Sequence, residues 1–384
     1  MFEVFDSLID QDQVVAVLTE AVIAARDSSD ESQNMTHAWL FTGPPGSGRS
    51  NTALAFAAAL VCPDAGCGNC VNCRTALTGT HADIELLRTE GLSIKIDEIR
   101  ELITRAAWSP SVATYRVIVI EDADRLTESA ANALLKGIEE PGTRTVWLLC
   151  APTLTDVLPT IRSRTRNLVL RTPSVTAVAH LLEREGVPST QALFVARISQ
   201  GHVGRARALA TNPQSREHRA AILKFPLAIT DIASAFRAAQ LLVDAAKKEA
   251  EGESERRDAQ ETGQLKEAWG QQGSKLAAGG SKAVKDLEKE QKSRSTRMVR
   301  DYLDRALLDL ATLYRDVVMA QTQGIVLADV AINLDLLDEI TQLAQRTTAE
   351  STLRRIEAIM QARTNLSRNS NSLLTIEALM VALK

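Results

Sequence analysis

The sequence predicts an α/β domain, a parallel sheet with helices on both faces, followed by a small helical lid and an all-α C-terminal bundle. Three observations predict it. Short apolar, β-branched runs alternate with helical patterns up to about residue 173, a glycine-rich loop joins the first such run to a helix, and no strand pattern follows Val175. Strands that are apolar along their whole length are covered on both faces, as the strands of parallel sheets are.

The elements follow in order. Val14, Val15, Leu18 and Val22 lie at helical spacing, and Ala38–Phe41 reads as a buried strand running into the glycine loop. A helix from Ser50 to about Leu60 comes next. Apolar runs recur at Ile84–Leu87, Val117–Ile120, Val146–Cys150 and Leu168–Leu170, separated by helical patterns such as Ile96–Ala106 and Ser129–Ile138. Pro173 closes residues 1–173, since proline ends a strand and suits the first turn of a helix. Residues 174–212 read as a small helical module, built from Val178–Glu185, Gln191–Ser199 and Gly204–Ala210, with Asn212-Pro213 as linker. Residues 213–384 read as a helical bundle, clearest where Met298, Tyr302, Ala306, Leu310, Leu313, Tyr314 and Val317 share one face. Within it, about 245–292 turns charged and glycine-containing. It reads as a solvated insertion of weak helices and connectors, with Trp269 a loosely packed aromatic.

Composition sets the limits. The chain has 384 residues, and at roughly 150 residues per domain it holds two or three domains. Apolar residues at 45% and charged residues at 24% exclude a disordered or fibrous chain. A net charge of −4 provides no global positive field, so nucleic-acid contact would be local or indirect. The longest apolar run, Ala53–Cys62, is too short for a membrane span of ~20 residues. Glu3 and Asp6 stand where a signal peptide would be basic, so a cytoplasmic location is expected.

Gly43-Pro44-Pro45-Gly46-Ser47-Gly48-Arg49-Ser50 follows a strand and opens a helix, the context in which backbone N–H groups and a helix N-terminus cradle phosphate. Gly43, Gly46, Gly48, Arg49 and Ser50 are therefore nucleotide-site candidates for ATP with Mg²⁺. Arg49 stands where the usual pattern has lysine, and a planar guanidinium cannot act as a compact point charge. Glu121 and Asp122 end an apolar strand, a placement suited to a metal-binding and a water-positioning acid. Their order is the reverse of the common Asp-then-Glu. A structural turn without ligand and a pair of solvated carboxylates are the plain alternatives.

Cys62, Cys67, Cys70 and Cys73 offer four thiolates at the short spacing that structural Zn²⁺ takes, and four protein ligands leave no open position for catalysis. Cys150 lies in an apolar run and reads as core. Arg162, Arg164 and Arg166 alternate ahead of the last strand. They read as a solvated surface or, more sharply, as the source of an arginine finger, and spacing alone does not choose among them. The five histidines are scattered and form no readable triad.

Taken together the chain resembles the clamp-loader branch of the AAA+ ATPases. The residues that carry the likeness are Val4–Gln11, His37–Phe41, the glycine loop, the four-cysteine module, Asn132–Pro141, Leu158–Arg164 and Ala362–Leu379. The resemblance implies a subunit of the DNA polymerase III holoenzyme in DNA replication, with little independent catalysis of its own. It implies partners, gamma/tau and delta subunits in a pentameric ring, with the sliding clamp and primed DNA reached through the complex. It places Arg164 on the family's trans-acting arginine, followed by Thr165 instead of the family's cysteine. It places Gly204 where active loaders carry a nucleotide-sensing arginine, with Arg205 one residue, or ~100° of helix, away. An active gamma/tau-like motor with an altered loop is the alternative. A nucleic-acid-binding module built on the cysteines ranks last, because the window around them holds little lysine or arginine.

Overall fold

The computed structural model describes residues 2–27, 34–89, 91–268, 280–322, 326–368 and 370–384. Two compact units are present, Met1–Thr211 and Asn212–Lys384. The first contains α1 (Asp12–Arg26), β1 (Ala38–Thr42), α2 (Arg49–Val61), α3 (Val71–Leu77), β2 (Ile84–Leu87), α4 (Ile96–Ala106), β3 (Arg116–Ile120), α5 (Glu128–Glu139), β4 (Thr145–Ala151), α6 (Pro159–Arg162) and β5 (Arg166–Val169). The lid helices α7 (Val175–Arg184), α8 (Ser189–Ile198) and α9 (Val203–Thr211) complete it.

The five strands are ordered β2-β3-β4-β1-β5, and every pair is parallel. Successive side chains of a strand point to opposite faces. Trp39 and Phe41 accordingly pack with Leu18 and Phe56 on one face, while Ala38 and Leu40 pack with Ile99 and Leu134 on the other. Both faces are covered, which is why these strands are apolar throughout. Arg116 opens β3 despite its charge because its guanidinium lies over the Trp108 ring, 5.6 Å from the centroid, and 3.8 Å from Glu85.

The segment leading into β3 is tied down by Asp83, fully buried, whose carboxylate accepts backbone N–H groups from Ser111, Val112 and Ala113 at 2.5–2.7 Å. Nδ1 of the buried His81 accepts the Asp83 N–H at 3.0 Å. Burial pulls the His81 imidazole below its ordinary 6.5, although the Asp83 charge opposes this. For Asp83 desolvation acts upward, but the three N–H bonds outweigh it and hold the carboxyl below 3.8. Both folded-state values are depressed, so the unfolded chain binds protons first and stability falls on acidification. Urea unfolding between pH 7.5 and 3 should show a decline beginning near 6.5, from His81, and a further one below about 4, from Asp83. His81→Gln should remove the upper stage alone. An unchanged slope between pH 7.5 and 5.5 in that variant would refute the assignment.

The second unit is helical throughout its described residues: α10 (Pro213–Leu223), α11 (Phe225–Ala228), α12 (Ile232–Ala268), α13 (Gly280–Gln321), α14 (Leu327–Val330), α15 (Leu337–Arg346), α16 (Ala349–Ser367) and α17 (Ser372–Ala382). Leu303, Ala306, Leu310 and Tyr314 of α13 sit in its main core with Leu242, Ile359 and Ile376. A buried polar knot adds specificity. Asp316 accepts the N–H groups of Ile332 and Asn333 at 2.9 and 2.8 Å, and Arg219 meets Asp309 at 3.2 Å.

The expected weak insertion at 245–292 needs correction. Helix α12 continues through Gly252 and Gly263, and α13 begins at Gly280, so most of this stretch is long helix. A glycine costs a helix only about 1 kcal/mol, and the charges pair between the two helices. Arg294, largely buried, meets Asp258 and Glu261 at 2.6 Å each, and Gln291 Nε2 donates to the Asp258 carbonyl. Composition showed the charges but not their partners. Trp269 lies outside the described residues.

Candidate functional site

Parallel strands direct their C-terminal ends to one edge of the sheet, and ligands of such sheets bind there. The glycine loop leaves β1 at that edge and ends at Gly48, the N-cap of α2. Above it lies a cavity of about 300 Å³, lined by Leu8 and Ile9, by Gly46–Thr52, and by Leu181, His202 and Arg207 from the lid. Beside it Ser47 Oγ, Arg49 Nη1 and Thr52 Oγ1 are buried without a hydrogen-bond partner among the described residues. With a helix N-terminus beneath, the chemistry suits an anion such as phosphate. Gly46 has a φ of +87°, and a Cβ there would stand 2.5 Å from His202 Cγ. Any side chain would drive the lid off the loop.

Glu121 and Asp122 follow β3, which is separated from β1 only by β4. Their charges, with those of Arg49 and Asp124, are felt at the buried Cys150 thiol, which burial pushes well above its ordinary range. Asp124 is a third acid that sequence reading missed. Its carboxyl is pushed up by burial first and by the Asp122 charge second, with Arg49 opposing. Glu121 is ion-paired: Arg88 Nε lies 3.0 Å from its Oε1, and its side chain is 16% exposed. An arginine in the first residue after β2 had no sequence signal pointing toward Glu121, since only the β2–β3 pairing brings them together.

In the lid, Gly204 lines the cavity and offers no charge. The lid cation that reaches the lining is Arg207, three residues on and on the same side of α9. Arg207 is paired in a two-pronged contact with Glu185, its Nε 3.0 Å from both carboxylate oxygens. This pairing lowers the Glu185 carboxyl and raises the guanidinium.

The four cysteines sit beyond the C-terminus of α2. Their Sγ atoms lie within 4.8 Å of one another, and Cys62 Sγ is 3.8 Å from Cys67 Sγ and 3.7 Å from Cys70 Sγ. A tetrahedron of thiolates at ~2.3 Å from a zinc ion has edges of about 3.8 Å, so the donors fit such an ion. The turn needs Gly66, with a φ of +93°, whose Cβ would stand 2.6 Å from Val4. The N–H groups of Asp64 and Cys73 donate to Cys62 and Cys70 sulfur at 3.3 and 3.4 Å. Burial acts to raise the Cys62 thiol, but surrounding N–H groups bring it down to about 7, whereas burial carries Cys73 well above its usual range. The cluster can hold a metal ion.

The three alternating arginines separate by environment. Arg166 lies over Trp39 at 5.0 Å and donates to the Asn34 carbonyl, which commits it to the fold. Arg164 sits in the turn between α6 and β5, its side chain 41% exposed. Because β5 begins opposite Trp39 and runs parallel to β1, Arg164 is at the N-terminal edge of the sheet, the edge away from its own glycine loop.

A glycine loop after β1, acids after β3 and a parallel sheet between helices define a domain of the P-loop type. Residues 19–174 match the family described as DNA polymerase III, delta subunit. The chain is 32% identical over 200 residues to the DNA polymerase III subunit delta' of Bacillus subtilis, covering 51% of this chain and 60% of that one. It is 36% identical over 154 residues to the subunit delta' of Pseudomonas aeruginosa, covering 38% and 47%. It is also 33% identical over 206 residues to the subunit gamma/tau of Mycobacterium bovis, covering 51% and 34%. The chain spans less than two thirds of the length of each of these relatives, and the likeness lies in its N-terminal unit. No helix among the described residues is long and apolar enough to cross a membrane.

Proposed function

We propose that this chain is a delta'-type subunit of a bacterial clamp loader, a component of the DNA polymerase III holoenzyme acting in the cytoplasm. Arg164 is its contribution to catalysis. It enters the ATP site of an adjacent gamma/tau subunit and stabilises charge on the transferring γ-phosphoryl group. The ring is completed by delta and is pentameric, and it opens the sliding clamp onto primed DNA. Zn²⁺ on Cys62, Cys67, Cys70 and Cys73 is structural.

The observation that carries this reading is the division of labour between the two edges of one sheet. At the loop edge Arg49 replaces the compact cation, Glu121 is paired with Arg88, and Gly204 brings no charge. At the far edge Arg164 is exposed and too distant to serve its own loop. A cation so placed serves a neighbour. The glycine loop at the N-terminus of α2 and the cavity above it support nucleotide binding at Gly43, Gly46, Gly48, Arg49 and Ser50 without efficient hydrolysis, Ser50 being the residue that would hold Mg²⁺.

The test has two arms. The purified chain should co-elute with gamma/tau and delta subunits, and alone it should turn over ATP far below ~1 s⁻¹, the lower end of ordinary enzyme rates. Turnover above that rate, abolished by Gly48→Asp, would overturn the reading in favour of an active motor.

A further inference from the structure

We infer that Glu139 is a positioning residue for Arg164: together with Thr160 and Ser163 it fixes the guanidinium plane so that the Nη2 end faces outward toward a neighbouring subunit's phosphates. The inference rests on the assignment of Arg164 as a trans-acting residue.

The geometry begins in the sheet. His37 immediately precedes β1, and its Nε2–H donates to the carbonyl oxygen of Ile138 at 2.9 Å. Ile138 is fully buried in the core beneath α5. Gly137 lies so close to Trp147 that a Cβ there would meet the indole at 2.9 Å. The last turn of α5 is therefore pinned to β1 and β4, and the Glu139 backbone has no freedom to drift. From that fixed point the Glu139 carboxylate reaches Arg164, Oε1 to Nε at 2.5 Å. Arg164 Nη1 donates to the Thr160 carbonyl at 3.0 Å and to Ser163 Oγ at 3.2 Å. Two of the three guanidinium nitrogens are thus engaged, and Nη2 has no partner among the described residues.

The location of the acid is informative. Glu139 is the last residue of α5, followed by Glu140, where the helix dipole disfavours negative charge. A carboxylate there opposes the local field unless a cation answers it, and Arg164 is that cation. The pair is too exposed to matter much to folding: its members are 41% and 44% exposed, and such pairs contribute little. Orientation is the benefit that remains. A free arginine side chain visits many rotamers, and a finger already aligned loses less entropy on reaching the phosphate. The planar fork makes the alignment transmissible, since fixing Nε and Nη1 fixes Nη2.

The experiment uses the reconstituted complex of this chain with gamma/tau and delta subunits and measures DNA-stimulated ATP turnover. Glu139→Ala should lower kcat about 10-fold or more, given that a ~1 Å misplacement can cost ~10²-fold. KM for ATP and assembly by size exclusion should stay unchanged. Glu139→Gln keeps an oxygen acceptor at the same reach and should restore kcat to within about threefold of wild type. The double variant Glu139→Ala, Arg164→Ala should be no slower than Arg164→Ala alone, because a positioning residue has nothing left to position. Wild-type kcat in Glu139→Ala, or losses that multiply in the double variant, would overturn the inference. Were Arg164→Ala itself without effect, the trans-acting assignment would fail instead, so the two failures are distinguishable.

Discussion

In an assembled clamp loader containing this chain, Arg164→Ala should slow the ATP site it completes by about 10³- to 10⁵-fold. Single-turnover hydrolysis with primed DNA reads this directly. The expectation follows from comparing two magnitudes. In the fold, Arg164 makes one exposed ion pair with Glu139 and bonds to Thr160 and Ser163. Such a pair contributes about 0–1 kcal/mol, so the variant should fold and assemble. At a neighbouring γ-phosphoryl group a loss of 10³-fold corresponds to about 4 kcal/mol of transition-state stabilisation. The functional effect therefore exceeds the structural one severalfold. Arg164→Lys should rescue poorly, because an ammonium lacks the planar group that Glu139, Thr160 and Ser163 hold in alignment. Wild-type turnover in the Arg164→Ala complex would defeat the proposed function.

The second large effect concerns the cysteine cluster. Chelation of the metal, or Cys73→Ser, should release one zinc per chain and lower the melting temperature by about 6 °C or more. Structural zinc provides apparent binding energies of about 10–16 kcal/mol in small peptides. Here the site is built on a large core, so only part of that is felt by global unfolding. A loss of about 3 kcal/mol shifts a unit of 150–250 residues by about 6–12 °C. The core reaches the cluster directly: Cys62 and Cys73 are buried among Val4, Phe5 and the alanines of α2. Metal analysis with thermal unfolding in the presence and absence of chelator checks this. A metal-free protein with an unchanged melting temperature would remove zinc from the account.

Much of this was legible in the residues themselves. The strands from Ala38, Ile84, Val117 and Val146 stand within about a residue of where their apolar runs predicted, because burial on both faces leaves an uninterrupted signature. Arg116 extends one of them beyond its apolar run, since a cation can be buried when Trp108 and Glu85 receive it. The glycine loop and the cysteines were legible because their chemistry is local in sequence. What escaped was relational. Arg88 finds Glu121 across a strand pairing, Arg207 reaches the cavity by helical geometry and a lid fold, and Glu139 meets Arg164 between two elements that only the sheet brings together. The long helices over 245–292 were missed for the same reason, since Arg294 stabilises them through acids more than thirty residues away.

The strand order has an implication for how copies of such a domain can join. On the proposed function, donor and acceptor surfaces lie at opposite ends of one β-sheet and are different patches, so a contact made through them would be heterologous, propagating head to tail with no two-fold pairing through the same surfaces. An array built this way has a direction. A member that can give but cannot usefully receive belongs at its terminus, and with one such member the row acquires a defined last position from which the order of all the others is counted.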